Sequence, residues 1–111
     1  MFRFIKEKRE IEEKYYKLAI KLDYIPLLKK IASNHNTPSS VLELLAKNLN
    51  TTEEILEILA KDESFMIRYE VTQKPNSNLE TLELLTKDKD KFVKHFAKIS
   101  FNKFKKNSLI K

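Results

Sequence analysis

One pattern recurs three times in this chain, and a recurring pattern leaves few folds open. Residues 32–48 read Ala-Ser-Asn-His-Asn-Thr-Pro-Ser-Ser-Val-Leu-Glu-Leu-Leu-Ala-Lys-Asn. Fourteen residues later, 46–62 read Ala-Lys-Asn-Leu-Asn-Thr-Thr-Glu-Glu-Ile-Leu-Glu-Ile-Leu-Ala-Lys-Asp; 26 further on, 72–88 read Thr-Gln-Lys-Pro-Asn-Ser-Asn-Leu-Glu-Thr-Leu-Glu-Leu-Leu-Thr-Lys-Asp. Each copy places Asn, then Thr or Ser, then a Leu-Glu-(Leu/Ile)-Leu block, then Lys with Asn or Asp. Such self-similarity is the mark of stacked units, none of which buries its apolar face alone. The expected fold is all-α, six or seven short helices forming a short α-solenoid with an N-terminal capping helix.

Each copy carries its own helix signals. Thr37, Thr51 and Ser77 stand where an N-cap hydroxyl accepts an orphan N–H. Pro38 follows at a first helical position, and Glu54 and Glu80 complete capping boxes with Thr51 and Ser77. The blocks Val41-Leu42-Leu44-Leu45, Ile55-Leu56-Ile58-Leu59 and Leu79-Leu82-Leu84-Leu85 predict one broad apolar face per helix. The chain contains no glycine, so Asn34, Asn48 and Asn76 are the candidates for left-handed turns between helices.

A second helix follows two copies. Asp62 to Val71 matches Asp88 to Ala97 at the same offset of 26. Met66, Ile67 and Val71, like Phe92, Val93 and Ala97, are expected to face inward. The opposite face carries Phe65, Arg68, Tyr69 and Thr72 on one helix and Lys91, Lys94, His95 and Lys98 on the next, at i, i+3, i+4, i+7 spacing. Arg68 and Lys94 admit two readings: each bonds the repeat's Asp or loop carbonyls and registers neighbouring units, or each lies on an exposed binding face. Phe65 likewise either packs on a neighbouring loop or anchors a partner. Glu70 occupies a position that is apolar in the next copy (Phe96), which suits the core margin beside a Lys.

Ala32-Ser33-Asn34-His35-Asn36-Thr37-Pro38, the helix ending Leu59-Ala60-Lys61-Asp62, the pair Ile67-Arg68 and then Lys74-Pro75-Asn76-Ser77 together resemble the leucine-rich repeat variant family, which belongs with HEAT-like α-helical repeats. The resemblance covers about residues 28–100. It implies a right-handed superhelix of paired helices used mainly for recognition. The chain departs from that pattern twice. The first step is only 14 residues, so one unit lacks its second helix. The iron–sulfur cluster of some members needs cysteines, and this chain has none.

The remaining segments are read as a single domain, 1–111, with 1–30 an N-terminal helical cap, 31–100 the repeats and 101–111 a basic C-terminal helix or frayed tail. Ile11, Tyr15, Leu18, Leu22 and Ile25 recur at alternating steps of four and three, one face of an amphipathic helix. That helix either caps the array or binds a partner or a second copy. Asp23 is a candidate cap for the helix that follows, with Pro26 in its first turn.

Charge and composition narrow the function. Residues 1–30 are net +4, 31–86 net −5 and 87–111 net +7. A basic end after an acidic middle suits nucleic acid, an acidic protein patch or anionic lipid, unless it is merely a Lys-rich surface. The first ten residues become charged before an apolar signal core forms, and no apolar run nears the ~20 residues of a membrane span. The expectation is a cytoplasmic protein without membrane contact. No cysteine means no disulfide, thiolate zinc site or cysteine nucleophile; no glycine means no phosphate-cradling loop. His35 is read as a turn residue, and neither it nor His95 has a second ligand at metal spacing. Catalytic residues, cofactors and metals are therefore expected to be none. The expected function is a non-enzymatic protein-protein interaction module whose surface is Phe65, Arg68, Tyr69, Lys91, Lys94, His95 and Lys98. The alternative is nucleic-acid binding through Lys91, Lys94 and Lys98 with the tail residues Lys103, Lys105 and Lys106.

Overall fold

A computed structural model describes residues 14–48, 51–74 and 77–110, with the side chains of 108–110 outside the description. Among the described residues there are seven helices and no strand. They are α1 (residues 14–22), α2 (Ile25–Ser33), α3 (Ser39–Lys47), α4 (Glu53–Leu59), α5 (Phe65–Thr72), α6 (Leu79–Leu85) and α7 (Lys91–Ile110). Ile11, Asn76 and the residues before Lys14 lie outside the described part.

The three copies of the repeat bury the same positions. Val41, Leu42 and Leu45 of α3 match Ile55, Leu56 and Leu59 of α4, and Thr81, Leu82 and Leu85 of α6. The buried stripe is narrower than the apolar block, because Leu44 and Leu84 are exposed and Ile58 only half-buried. A helix in contact with neighbours on one side covers an arc of its circumference, and a fourth apolar residue falls outside it.

The hydroxyls at the copy junctions do a different job from the one their spacing suggests. Thr37 donates to the carbonyl of Ile31 (2.8 Å), Thr51 to that of Leu45 (2.6 Å) and Ser77 to that of Val71 (2.7 Å). Each hydroxyl thus closes the end of the preceding helix rather than the start of the next, and all three are buried. The N-caps fall one residue later, at Pro38, Thr52 and Asn78. Thr52 and Asn78 accept from the amides of Ile55 and Thr81. The two capping boxes therefore do not form, and Glu54 pairs with Lys29 instead. Removing one of the buried hydroxyls takes one donor from a helix-end carbonyl that keeps another, since Leu45 also accepts from the Asn48 amide and Val71 from that of Lys74. Thr51→Val and Ser77→Ala are each expected to cost about 0.5–1.5 kcal/mol in urea unfolding, whereas the exposed Ser39→Ala should be close to neutral.

Asn34 and Asn48 are extended, at φ −82° and −64°, and not left-handed. Among the described residues the positive φ belongs to Asp23 (54°), in the α1–α2 turn, where a short polar side chain tolerates it. Asp23 is therefore a turn residue, and Tyr24 is the N-cap of α2.

α2 packs on α4, α3 on α5, α5 on α7, and α6 chiefly on α7. The 14-residue step is absorbed by α3. Its sequence matches α4 and α6, yet it packs beside α5, so that α2 and α3 form the first pair. One continuous core runs from Ala19 to Ala97. α1 turns Ala19 into that core and Tyr16 and Ile20 against it, leaving Tyr15, Leu18 and Leu22 exposed. The apolar stripe Tyr15, Leu18 and Leu22 is thus turned away from the core. The tail is no separate element: α7 runs unbroken through residue 101 to Ile110.

Candidate functional site

Asp62 and Asp88 terminate α4 and α6 in the same way. Each accepts from the amide two residues on, Ser64 and Asp90, which folds the chain into the start of α5 and α7. From α5, Arg68 reaches back under both turns. Its Nη1 donates to the carbonyls of Asp62 (2.8 Å) and Glu63 (2.9 Å). Its Nε and Nη2 donate to the two carboxylate oxygens of Asp88, at 2.8 and 3.0 Å. The forked guanidinium matches a carboxylate in this bidentate geometry, which an ammonium does not reproduce. Arg68 is 6 % exposed. It is not on the outer face where a partner would meet it; it ties two successive helix pairs together. Asp88 responds to two opposed influences. Burial, the largest, pushes its carboxyl up, but the bonds from Arg68 and the Asp90 amide, with the charges of Arg68 and Lys89, hold it below the ordinary 3.8.

Thr72 is also inside, its carbonyl accepting from Ser100 of α7 at 2.6 Å. Two residues expected inside are outside: Met66 is 41 % and Phe92 45 % exposed. The reason is that α5 and α7 pack side by side, so positions flanking their contact face outward. There Tyr69 meets Phe92 and Phe96, with ring centroids 4.8 and 5.1 Å apart. Phe92 and Phe96 stand at 4.8 Å, and His95 lies edge-on to Phe96 at 5.1 Å. Edge-to-face packing at these distances adds to apolar burial and stiffens the cluster. Phe65 and Met66 continue it one turn back along α5, both exposed. Lys91, Lys94, His95 and Lys98 are all exposed on α7. Of the seven expected surface residues, the fold therefore keeps six at or near the surface and withdraws Arg68. Phe92, Phe96 and Met66 belong with them and were missed, since their spacing in the sequence matches the inward face. Glu70 does lie at the core margin, 3.9 Å from Lys47.

A second concavity, of 830 Å³, lies between the α2–α3 and α4–α5 turns and includes His35, Ser39, Glu54, Glu57, Asp62 and Glu63. Three of its four carboxylates are engaged: Glu54 with Lys29, Glu57 with the Asn78 amide, Asp62 with the Ser64 amide. Among the described residues no group of His, Asp and Glu is arranged to hold a metal ion, and no helix is long and apolar enough to cross a membrane. Comparison with protein-family models, curated proteins and solved structures gives no match.

Proposed function

We propose that this protein is a non-enzymatic protein-interaction module, built as a short array of paired helices in the manner of HEAT-like and variant leucine-rich repeats. The buried hydroxyls of Thr37, Thr51 and Ser77, which close α2, α3 and α5 alike, support the array reading. The observation that carries the function is the aromatic cluster Tyr69–Phe92–Phe96. Its rings pack on one another, it is partly open to solvent, and exposed Phe65 and Met66 continue it. Aromatic side chains held in place lose little entropy on binding, which is why they serve as anchors. The flanking Lys91, Lys94 and Lys98 favour a partner that is apolar at its centre and acidic at its rim.

A photo-crosslinking residue at Met66 identifies the partner, and titration of that partner tests the site. Phe92→Ala and Phe65→Ala are each expected to weaken binding roughly 30-fold or more, about 2 kcal/mol. Leu84→Ala, equally exposed but on α6, should leave it unchanged. Equal affinity for all three variants would sink the reading.

A further inference from the structure

The second half of α7 is exposed. Asn102, Lys103, Phe104, Lys105, Lys106 and Asn107 are all exposed, so this stretch presents every side to solvent. α7 contains six lysines and no acidic residue, while residues 31–86 are net −5. Within α7, then, no acid offsets the lysines, whereas basic residues 1–30 are interleaved with five acids. None of the six lysines forms an ion pair with a described acid. At 3.6 residues per turn, Lys91, Lys94, Lys98 and Lys105 fall within about 60° of arc along about 21 Å of helix. The face opposite them holds Val93, Ala97 and Ser100 against the body. Asn102 borders the stripe.

We propose that the free half of α7 lies in the major groove of duplex DNA, with Lys98, Lys103, Lys105 and Lys106 on the phosphates of its walls. A helix about 10–12 Å across fits the major groove of B-form DNA, about 12 Å wide. The major groove of A-form RNA is too deep and narrow to admit it. Single strands are held on stacking platforms; here Phe101 lies beneath the Lys105 ammonium, 5.4 Å from the ring centroid, so one of the two tail aromatics is taken. An acidic peptide needs apolar anchors beside the charges; here Phe101 lies under Lys105, and Ile99 and Phe104 fall on other faces of α7 than the stripe. Lys98 borders both this surface and the aromatic cluster, whereas Lys103, Lys105 and Lys106 lie beyond the cluster and report on this surface alone.

The test is fluorescence anisotropy of the full chain with a 20-base-pair DNA duplex, the RNA duplex and the DNA single strand of the same sequence, and polyglutamate. The DNA duplex is expected to bind tightest, with affinity falling roughly 10²–10³-fold between 50 and 200 mM salt for four to six phosphate contacts. Lys103→Gln, Lys105→Gln and Lys106→Gln together should reduce the slope of log K against log salt by about 2.7. Lys14→Gln, Lys17→Gln and Lys21→Gln together remove the same charge from exposed positions of α1, and should leave the slope nearly unchanged. All the altered lysines are exposed, and circular dichroism checks that both variants stay folded. Equal loss in the two triple variants would reduce the effect to net charge and overturn the proposal. So would RNA, single strands or polyglutamate binding as tightly as the DNA duplex, or no binding at low salt.

Discussion

Arg68→Ala is expected to lower the unfolding free energy by about 3–5 kcal/mol, the usual cost of removing one member of a buried charge pair. The loss exceeds that of an average side chain because three groups are stranded at once. Asp88 loses its bidentate partner, and the carbonyls of Asp62 and Glu63 lose their donor. Arg68→Lys should recover only part of the loss, since one ammonium cannot serve the carboxylate fork and two carbonyls together. Urea titration of the three proteins measures the difference. A cost below about 1 kcal/mol, the range of surface pairs, would contradict the clamp.

The same variant should change how stability depends on acidity. In the native protein the Asp88 carboxyl is held below its ordinary 3.8. A carboxyl depressed by folding contributes stability that is fully present above the unfolded value and is lost as pH falls through the folded one. Stability should therefore decline on acidification below about pH 4. Once Arg68 is gone, its bond and its charge no longer hold the carboxyl down, while burial still opposes the Asp90 amide and Lys89. Arg68→Ala should therefore lose less stability on acidification than the native protein does. Asp88→Asn should remove this contribution to the pH dependence altogether. Unfolding midpoints between pH 3 and pH 7 distinguish the three cases.

Leu45→Ala is the second large effect, expected at about 3–5 kcal/mol. Leu45 is 0 % exposed in α3, the helix that touches α2, α4 and α5. Neighbours on three sides cannot all close on the space left behind, so the cavity term adds to the lost transfer energy. Leu44 is 40 % exposed, and Leu44→Ala should cost less than about 1 kcal/mol. The pair forms an internal control with identical chemistry at adjacent positions. Similar losses at the two sites in urea would contradict the packing described for α3.

Much of the helical organisation was legible along the chain. The copies at offsets of 14 and 26 announce equivalent helices, and equivalent positions are indeed buried alike: Val41, Ile55 and Thr81, or Leu45, Leu59 and Leu85. That information is local, because periodicity and turn chemistry act over a few residues. The cap positions missed by one residue for a reason that is also physical. The Thr51 hydroxyl can donate backwards to Leu45 as readily as accept forwards, and the direction depends on which carbonyl the turn brings near.

Tertiary contact decided the rest. Periodicity marks a stripe on a helix but does not say which neighbour covers it. α1 accordingly shows Tyr15, Leu18 and Leu22 to solvent while burying Ala19, and Met66 and Phe92 border the α5–α7 contact instead of filling the core. Arg68 follows the same logic. Its surroundings are made by Asp88, 20 residues away, which only the packing of α6 and α7 against α5 brings within 2.8 Å. The sequence alone determined the helices, their repetition and the segregation of charge, since these are properties of short windows of chain. Which side chains remain at the surface to meet a partner was decided only when the helices packed, because exposure belongs to the pair of surfaces in contact and not to either one.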